Sequence, residues 1–207
     1  PRAEMTDTPA RYAGPIGRPT SMRRRSSQRT GTVATVRAMS DDTVIRPIVE
    51  SDVDRVLAIN EVNVPEVGSV DGERMAWLVA ASIVASAVEI DSVVAGFCLV
   101  LPSGTDYDSV NYRWFAERYD RFAYLDRVAF DRPFRRQGLG TALYRHVGQR
   151  LAALGHERLA LEVNVDPPND ASLAFHRRLG FVEVGRQDTP YGIRVSMQLR
   201  PVVTRGV

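Results

Sequence analysis

The sequence predicts a mixed α/β domain in which a central sheet of about seven strands is flanked by helices. Short runs rich in valine, isoleucine and leucine alternate with segments whose apolar residues recur at helical spacing. Strand patterns stand on both sides of the helical ones. No apolar run reaches the roughly 18 residues of a membrane span, so no membrane association is expected. The predicted domain covers residues 39–207.

The first half of the domain is predicted to form a strand, two helices and a hairpin. Ser51 is the predicted N-cap of the first helix, because a hydroxyl can accept from the free amides at a helix start. Asp52 and Asp54 fall in its first turn, where the helix dipole favours acids. Asp91 and Ser92 form the turn of the hairpin. The elements are strand 43–49, helices 51–63 and 72–83, and strands 85–91 and 93–102.

The second half opens with an unusually aromatic segment, residues 103–120, most of which is expected to pack in a helix-on-sheet core. The lone cysteine, Cys98, lies in a strand pattern and is expected to be a buried, inert thiol. The remaining elements are strand 121–131, a helix from Thr141, strand 158–166, helix 169–180, and strands 181–187 and 191–200.

Charge is distributed unevenly along the chain, which contains no lysine. Residues 1–38 carry eight arginines against two acids, whereas the rest carries 19 arginines against 23 acids. The first 38 residues are also rich in Pro, Gly, Ser and Thr, so they are predicted to be a disordered basic extension. Their arginines could contact nucleic acid, but a functionless extension is favoured, and Met39 is a candidate natural start. No secretory signal pattern is present.

The segment between the fourth strand and the long helix has the features of an anion site. It reads Arg135, Arg136, Gln137, Gly138, Leu139, Gly140, and the helix that follows has apolar positions at Leu143, Val147, Leu151 and Leu154. The first amides of a helix lack internal acceptors and lie at the positive end of its dipole. Arginines add donors suited to phosphate. These residues therefore predict a site for a phosphate-bearing ligand.

Two common phosphate-binding motifs do not fit this segment. A Walker A loop ends in Gly-Lys-Ser/Thr, and the chain has no lysine. A dinucleotide fingerprint needs a third glycine where Leu143 stands. The Arg-x-x-Gly-x-Gly pattern instead resembles the pyrophosphate loop of the GCN5-related N-acetyltransferase (GNAT) superfamily, which binds acetyl-coenzyme A. A second segment supports the resemblance, because five residues match that family's downstream signature: Asn169, Ser172, Phe175, Gly180 and Phe181.

The resemblance covers residues 43 to about 200 and implies the GNAT fold, with a splayed central sheet. It also implies a set of coenzyme-binding residues. Loop amides and the Arg135 side chain would hold the pyrophosphate, strand four would pair with the pantetheine arm, and Asn169 would bond that arm or simply cap its helix. The implied cofactor-binding residues are Val128, Ala129, Phe130, Arg135, Arg136, Gln137, Gly138, Leu139, Gly140, Thr141, Asn169 and Ser172.

Two residues are candidates for the proton transfers. His176 stands where the family usually has a tyrosine that protonates the departing thiolate, and an imidazolium could do the same work. The alternative is a packed, hydrogen-bonded histidine. Asp126 lies two residues before Val128 and shares its strand face, so it could be the general base. It could equally pair with Arg127 or Arg121 in a surface network.

The acceptor side is less specified by the sequence. Glu61 and Glu66, at the end of the first helix and in the connection to the second, are weaker candidates for the base or for substrate contact. The aromatic segment precedes the fourth strand and could form a wall of the acceptor pocket, and Tyr124 and Arg113 are the residues expected to contact substrate.

The predicted function is transfer of an acetyl group from acetyl-coenzyme A to an amine acceptor by direct attack. The acceptor is a small molecule or a peptide, with a coenzyme-A-binding regulator or sensor of little activity as the alternative. No metal is implied, nucleic acid is an unlikely partner, and a homodimer is compatible with the family. A lone thiol fits a cytoplasmic location.

Overall fold

The structure is a computed structural model that describes residues 43–203. Its strands are β1 (Thr43–Pro47), β2 (Val84–Ile90), β3 (Val93–Pro102), β4 (Ala123–Phe130), β5 (Arg158–Asp166), β6 (Val182–Asp188) and β7 (Arg194–Pro201). Its helices are α1 (Val53–Glu61), α2 (Gly72–Ala81), α3 (Val110–Ala116), α4 (Leu139–Ala153) and α5 (Asp170–Arg178). The predicted fold class is confirmed. The extension predicted for residues 1–38, and its boundary at residue 39, lie outside the described residues.

The seven strands form one sheet in the order β1-β2-β3-β4-β5-β7-β6. All neighbours are antiparallel except β4 and β5, which run parallel and pair over only two positions, Ala123 with Leu159 and Tyr124 with Ala160. Beyond these positions β4 and β5 diverge. The sheet is therefore splayed at its centre, as the family resemblance implies.

Helices cover both faces of the sheet, and each face has its own apolar core. On one face, α1, α2 and α3 bury Ile59, Leu78 and Phe115 against β3 and β4. On the other face, the apolar side of α4 buries Leu143 and Val147. The two helix layers fix the positions of the strands from both sides, so the divergence of β4 and β5 is held by packing rather than by their own hydrogen bonds.

The start of the first helix differs from the sequence prediction. A 3₁₀ turn, Glu50–Asp52, precedes α1, and Ser51 does not cap the helix. The Asp52 carboxylate instead accepts from the Val49 amide at 2.9 Å and from the Arg46 guanidinium at 2.6 Å. A carboxylate bound to a guanidinium holds the chain more strongly than a hydroxyl, and it ties α1 to β1.

The aromatic segment and Cys98 behave as predicted. Tyr107, Tyr112 and Phe115 are buried, and most of the aromatic rings from 107 to 124 contact one another in the core layer under α3. Burial raises the pKa of the Cys98 thiol to about 12, which leaves it protonated and unreactive at neutral pH. Within residues 43–203 no helix is both long and apolar enough to cross a membrane.

Candidate active site

The divergence of β4 and β5 opens a cavity of about 150 Å³, called the central cavity below. It lies directly beyond the last paired residues, between Leu125–Val128 on one strand and Leu161–Asn164 on the other. Its polar lining consists of Asn63, Glu66, Asp126, Tyr144, Glu162, Asn164, Asn169, Ser172 and His176. Residues from β4, α4, β5, α5 and the loop after α1 thus meet at a break in the sheet, which concentrates polar chemistry inside an apolar core.

A second cavity of about 570 Å³, the cofactor groove, runs from the end of β4 to the start of α4 and α5. It adjoins the central cavity, because the two share the lining residues Asn63, Glu66, Val128, Tyr144, Ser172 and His176. Most of the predicted cofactor-binding residues line it: Val128, Ala129, Phe130, Arg135, Arg136, Gly138, Leu139, Gly140, Thr141 and Ser172. Asn169 lines the central cavity instead, and Gln137 lines neither.

The turn into α4 has the geometry expected of an anion site. The helix begins at Leu139, two residues earlier than predicted, and Gly138 precedes it with a φ of +83°. Only glycine adopts that left-handed conformation at low cost. Because Gly138 O accepts the first helical hydrogen bond, from Ala142 N at 3.2 Å, the amides before Ala142 have no acceptor within the helix. A Cβ added at Gly140 would lie 3.4 Å from Phe175 Cζ, so the helix and the ring approach closely there.

The edge of β4 that faces the gap also fits an extended ligand. From Val128 to Phe130 the strand pairs with β3 on one side, but its pairing with β5 ends at Tyr124. Backbone groups on such an edge can pair with an added strand-like ligand. The free amides of α4 and this unpaired edge, joined by one groove, fit the pyrophosphate and the pantetheine arm of coenzyme A.

Arg135 and Gln137 make contacts within the chain. The Arg135 guanidinium donates to Phe130 O at 3.1 Å and to Asn63 Oδ1 at 2.8 Å, and so links the end of β4 to the loop after α1. Gln137 Nε2 donates to Pro133 O at 2.8 Å. Asn169 caps α5 by accepting from the Ser172 amide at 3.1 Å. The capping role considered for Asn169 is present, and its amide also lines the central cavity.

His176 is buried in an aromatic cluster at the junction of the two cavities. Its Nε2 lies 2.6 Å from the Tyr144 hydroxyl and its Nδ1 lies 2.8 Å from Ser172 O. Burial lowers the pKa of His176 to about 4. The imidazole is therefore neutral at pH 7, which disfavours the imidazolium that direct proton donation by His176 requires.

Glu162 is the carboxylate that sequence reasoning missed. It lies on β5 and lines the central cavity, where its Oε2 accepts from the Tyr124 hydroxyl at 2.6 Å and its Oε1 from Asn111 Nδ2 at 2.9 Å. Burial raises its pKa to about 7. A carboxyl with that pKa exchanges protons readily near neutrality. The sequence signal that could have identified Glu162 was an acidic residue at a central position of the apolar run 158–166.

Asp126 and Val128 line the central cavity together, as their shared strand face predicts. The Tyr107 hydroxyl donates to Asp126 Oδ1 at 2.7 Å, and Arg127 Nε lies 3.0 Å from Oδ2. Burial raises the pKa of Asp126. The ion pair with Arg127 considered from the sequence is present, but it is buried rather than part of a surface network, and both side chains are less than one-tenth exposed.

The residues predicted for the acceptor side lie at different depths. Glu66 lines both cavities. Tyr124 is fully buried and reaches the cavity only through its bond to Glu162. Glu61 is exposed and holds the loop after α1 by accepting from Ser69 Oγ and Val70 N, which lowers its pKa. Arg113 is exposed and lines neither cavity.

Comparison with known proteins gives one family match. A family model described as the acetyltransferase (GNAT) family matches residues 60–181, more than half of the chain. No curated protein matches. In the part of the chain that the structure describes, no group of three or more His, Cys, Asp or Glu side chains is arranged to hold a metal ion.

Solved structures with the same fold match this chain over nearly all of their own length. The ribosomal-protein-S18-alanine N-acetyltransferase from Escherichia coli is 21% identical, with a TM-score of 0.61 over 79% of this chain and 96% of that chain. Ard1 from Thermoplasma volcanium is 19% identical, with a TM-score of 0.64 over 78% and 99%. NAA60 from Arabidopsis thaliana, in complex with acetyl-CoA, is 18% identical, with a TM-score of 0.63 over 77% and 99%.

Proposed function

Because this chain belongs to the GNAT acetyltransferase family, with acetyl-coenzyme A as its co-substrate, we propose that it transfers the acetyl group directly to an amine. Glu162 receives the proton that the amine gives up. The observation that carries the proposal is that the cofactor groove shares a wall with a cavity that is lined by the Glu162 carboxylate, whose pKa is about 7. The co-substrate supplies an activated thioester, so no covalent enzyme intermediate is needed.

The chain offers a complete set of groups to hold the co-substrate. The amides of residues 136–141 face the pyrophosphate, and Arg136 adds a positive charge at the exposed rim. The open edge of β4 at Val128–Phe130 pairs with the pantetheine arm, and the Asn169 amide side chain bonds it from the opposite wall. A backbone amide of β4 then polarises the thioester carbonyl, because fixed donors stabilise the charge that develops on its oxygen.

Glu162 is placed to activate the amine. Amines reach the cavity mainly as ammonium ions, and only the neutral form attacks. Tyr124 and Asn111 fix both oxygens of the Glu162 carboxylate, so it can accept a proton without reorienting. Asp126 is the second candidate base, because burial raises its pKa as well, but its ion pair with Arg127 opposes that rise by stabilising the charged form. We assign Asp126 to attracting the ammonium ion, together with Glu66 at the cavity wall.

The acceptor is proposed to be a primary amine of a small molecule or a peptide. The central cavity is small and polar, which suits an ammonium group rather than a bulky apolar one. Homodimer formation and a cytoplasmic location stay predictions, which sedimentation and cell fractionation would test.

The test of the function is an acetyl-transfer screen over amine classes, in which release of free thiol and mass gain of the acceptor are both measured. Turnover with at least one primary amine is expected. Tight coenzyme binding without turnover on any class would contradict the proposal and favour the alternative, a coenzyme-A-binding regulator.

Replacing Tyr124 by Phe is expected to shift the pH dependence of turnover to higher pH. The Tyr124 hydroxyl lowers the pKa of Glu162 by bonding its charged form, so its loss raises that pKa further above the usual value. Turnover at pH 7 should fall by up to about tenfold and recover at higher pH. Tyr112→Phe is the matched control, because that hydroxyl bonds Pro102 O and not Glu162. An unshifted profile in Tyr124→Phe would count against Glu162 as the base.

A further inference from the structure

Tyr144 and His176 meet at the junction between the cofactor groove and the central cavity. Tyr144 comes from α4 and His176 from α5, and both side chains line both cavities. The hydroxyl of Tyr144 lies 2.6 Å from Nε2 of His176. His176 on α5 thus contacts a hydroxyl group that α4 supplies.

The surroundings keep this pair neutral. The imidazole packs edge to face against Tyr144, Phe175 and Phe181, and only about 5% of His176 is exposed. Burial and the charge of Arg200 both lower the pKa of His176, and burial raises the pKa of Tyr144. At neutral pH the pair therefore has one imidazole proton and one hydroxyl proton to use.

We infer that Tyr144, and not His176, donates the proton to the departing coenzyme A sulfur, and that His176 is the positioning residue for the Tyr144 hydroxyl. This inference rests on the proposed function. The proposed proton donor lies on α4, the helix whose first amides are proposed to bind the pyrophosphate. One helix would therefore hold the coenzyme and protonate its sulfur.

Ser172 offers His176 a partner for either tautomer. With the proton on Nδ1, the ring donates to Ser172 O at 2.8 Å and accepts from the Tyr144 hydroxyl. With the proton on Nε2, Nδ1 would accept from Ser172 Oγ, now at 3.2 Å, and Nε2 would donate to the Tyr144 oxygen, with a small turn of the ring that moves Nδ1 away from Ser172 O, since two acceptors repel at 2.8 Å. In the second arrangement the hydroxyl hydrogen of Tyr144 is free to turn toward the sulfur. The Nε2–H also stabilises the negative charge that grows on the Tyr144 oxygen.

The proton balance closes within the cavity. As the carbon–sulfur bond breaks, its electron pair stays on sulfur, the O–H bond of Tyr144 breaks and an S–H bond forms. Glu162 then passes to Tyr144 the proton that it took from the amine. Both side chains line the central cavity. An amine that arrives as an ammonium ion gives up two protons. The first passes through Glu162 to solvent before the attack, and the second passes through Glu162 and Tyr144 to the sulfur, so no external acid is consumed.

The first test compares Tyr144→Phe with the wild type by turnover and by coenzyme binding. The turnover number is expected to fall about 100-fold, while calorimetry gives a coenzyme A Kd within about threefold of wild type. The rise of activity near pH 7 persists, because Glu162 is intact. Tyr119→Phe, a partly buried tyrosine packed on Phe115 away from both cavities, is the control and should keep wild-type turnover.

The second test needs no turnover. The thiolate absorbance of bound coenzyme A is titrated in the wild type and in Tyr144→Phe, and the thiol pKa is expected to shift upward in the variant, because a hydroxyl donor favours the thiolate. The turnover lost in His176→Phe is expected to be partly restored in His176→Gln, whose amide N–H can donate to the Tyr144 oxygen.

Full turnover and an unshifted thiol pKa in Tyr144→Phe would overturn the inference and leave the proposed function intact. The same holds if His176→Gln were as impaired as His176→Phe while Tyr144→Phe remained active. Absence of the rise of activity near pH 7 in the wild type is a different failure. It would count against Glu162 as the base, and so against the proposed function itself.

Discussion

Glu162→Gln is expected to lower kcat/KM for amine acetylation by about 100- to 10,000-fold, the usual contribution of a general base. The amide keeps the size of the side chain, and its oxygen can still accept from Asn111 while its NH2 group donates to the Tyr124 oxygen, but it cannot accept a proton. In the wild type, activity rises with pH through about 7 because the pKa of Glu162 is raised and the carboxylate form becomes populated there. This rise of activity with pH, the pH limb, should be absent from the variant.

The fold is expected to tolerate this change. A carboxyl whose pKa is raised on folding destabilises the native state as pH rises from its unfolded value toward about 7, so the variant should unfold no more easily at pH 8. Glu183→Gln is the matched control, since Glu183 lies on β6 away from the cavity, where it accepts from Ser196 Oγ, and the variant should retain wild-type turnover. If Asp126→Asn removed the limb and Glu162→Gln retained it, Asp126 would be the base and this assignment would be wrong.

Gly138→Ala is expected to weaken coenzyme A binding by about five- to thirtyfold. Its φ of +83° costs a residue with a Cβ about 1–2 kcal/mol, so the turn should relax and misalign the amides that face the pyrophosphate. No atom lies within 4 Å of the added methyl, so the effect would come from the backbone and not from a clash inside the protein. Calorimetric titration with coenzyme A measures the change.

Gly155→Ala is the control for the stability cost. Gly155 has a φ of +75° and equally open space, but it follows the opposite end of α4. Both variants should lose similar free energy of unfolding in urea, and only Gly138→Ala should lose coenzyme affinity. Equal affinities in the two variants would show that the turn into α4 does not hold the coenzyme.

The turn into α4 could be predicted because its residues are local in sequence. The arginines and glycines from Arg135 to Gly140 form one uninterrupted stretch, and the chemistry of that stretch depends only on a strand ending and a helix beginning. Strand β5 was likewise predicted with the bounds that the structure has, since turn residues delimit its apolar run.

The groups proposed for proton transfer could not be predicted, because each depends on partners distant in the chain. Glu162 gains its raised pKa from burial at the point where β4 and β5 diverge, and its partner Asn111 is 51 residues away. Tyr144 falls beside an apolar position of α4 and reads as ordinary core until α5 brings His176 to its hydroxyl. The hypothesis of an imidazolium at position 176 relied on an ordinary histidine pKa, which burial among aromatic rings removes.

The most direct test of the account is a crystal structure of the protein with coenzyme A bound. The account predicts that the pyrophosphate accepts hydrogen bonds from the amides of residues 136–141, that the pantetheine arm follows the open edge of β4, and that the sulfur lies beside Tyr144 in the central cavity. A pyrophosphate bound anywhere else, or no bound coenzyme at millimolar concentration, would contradict it.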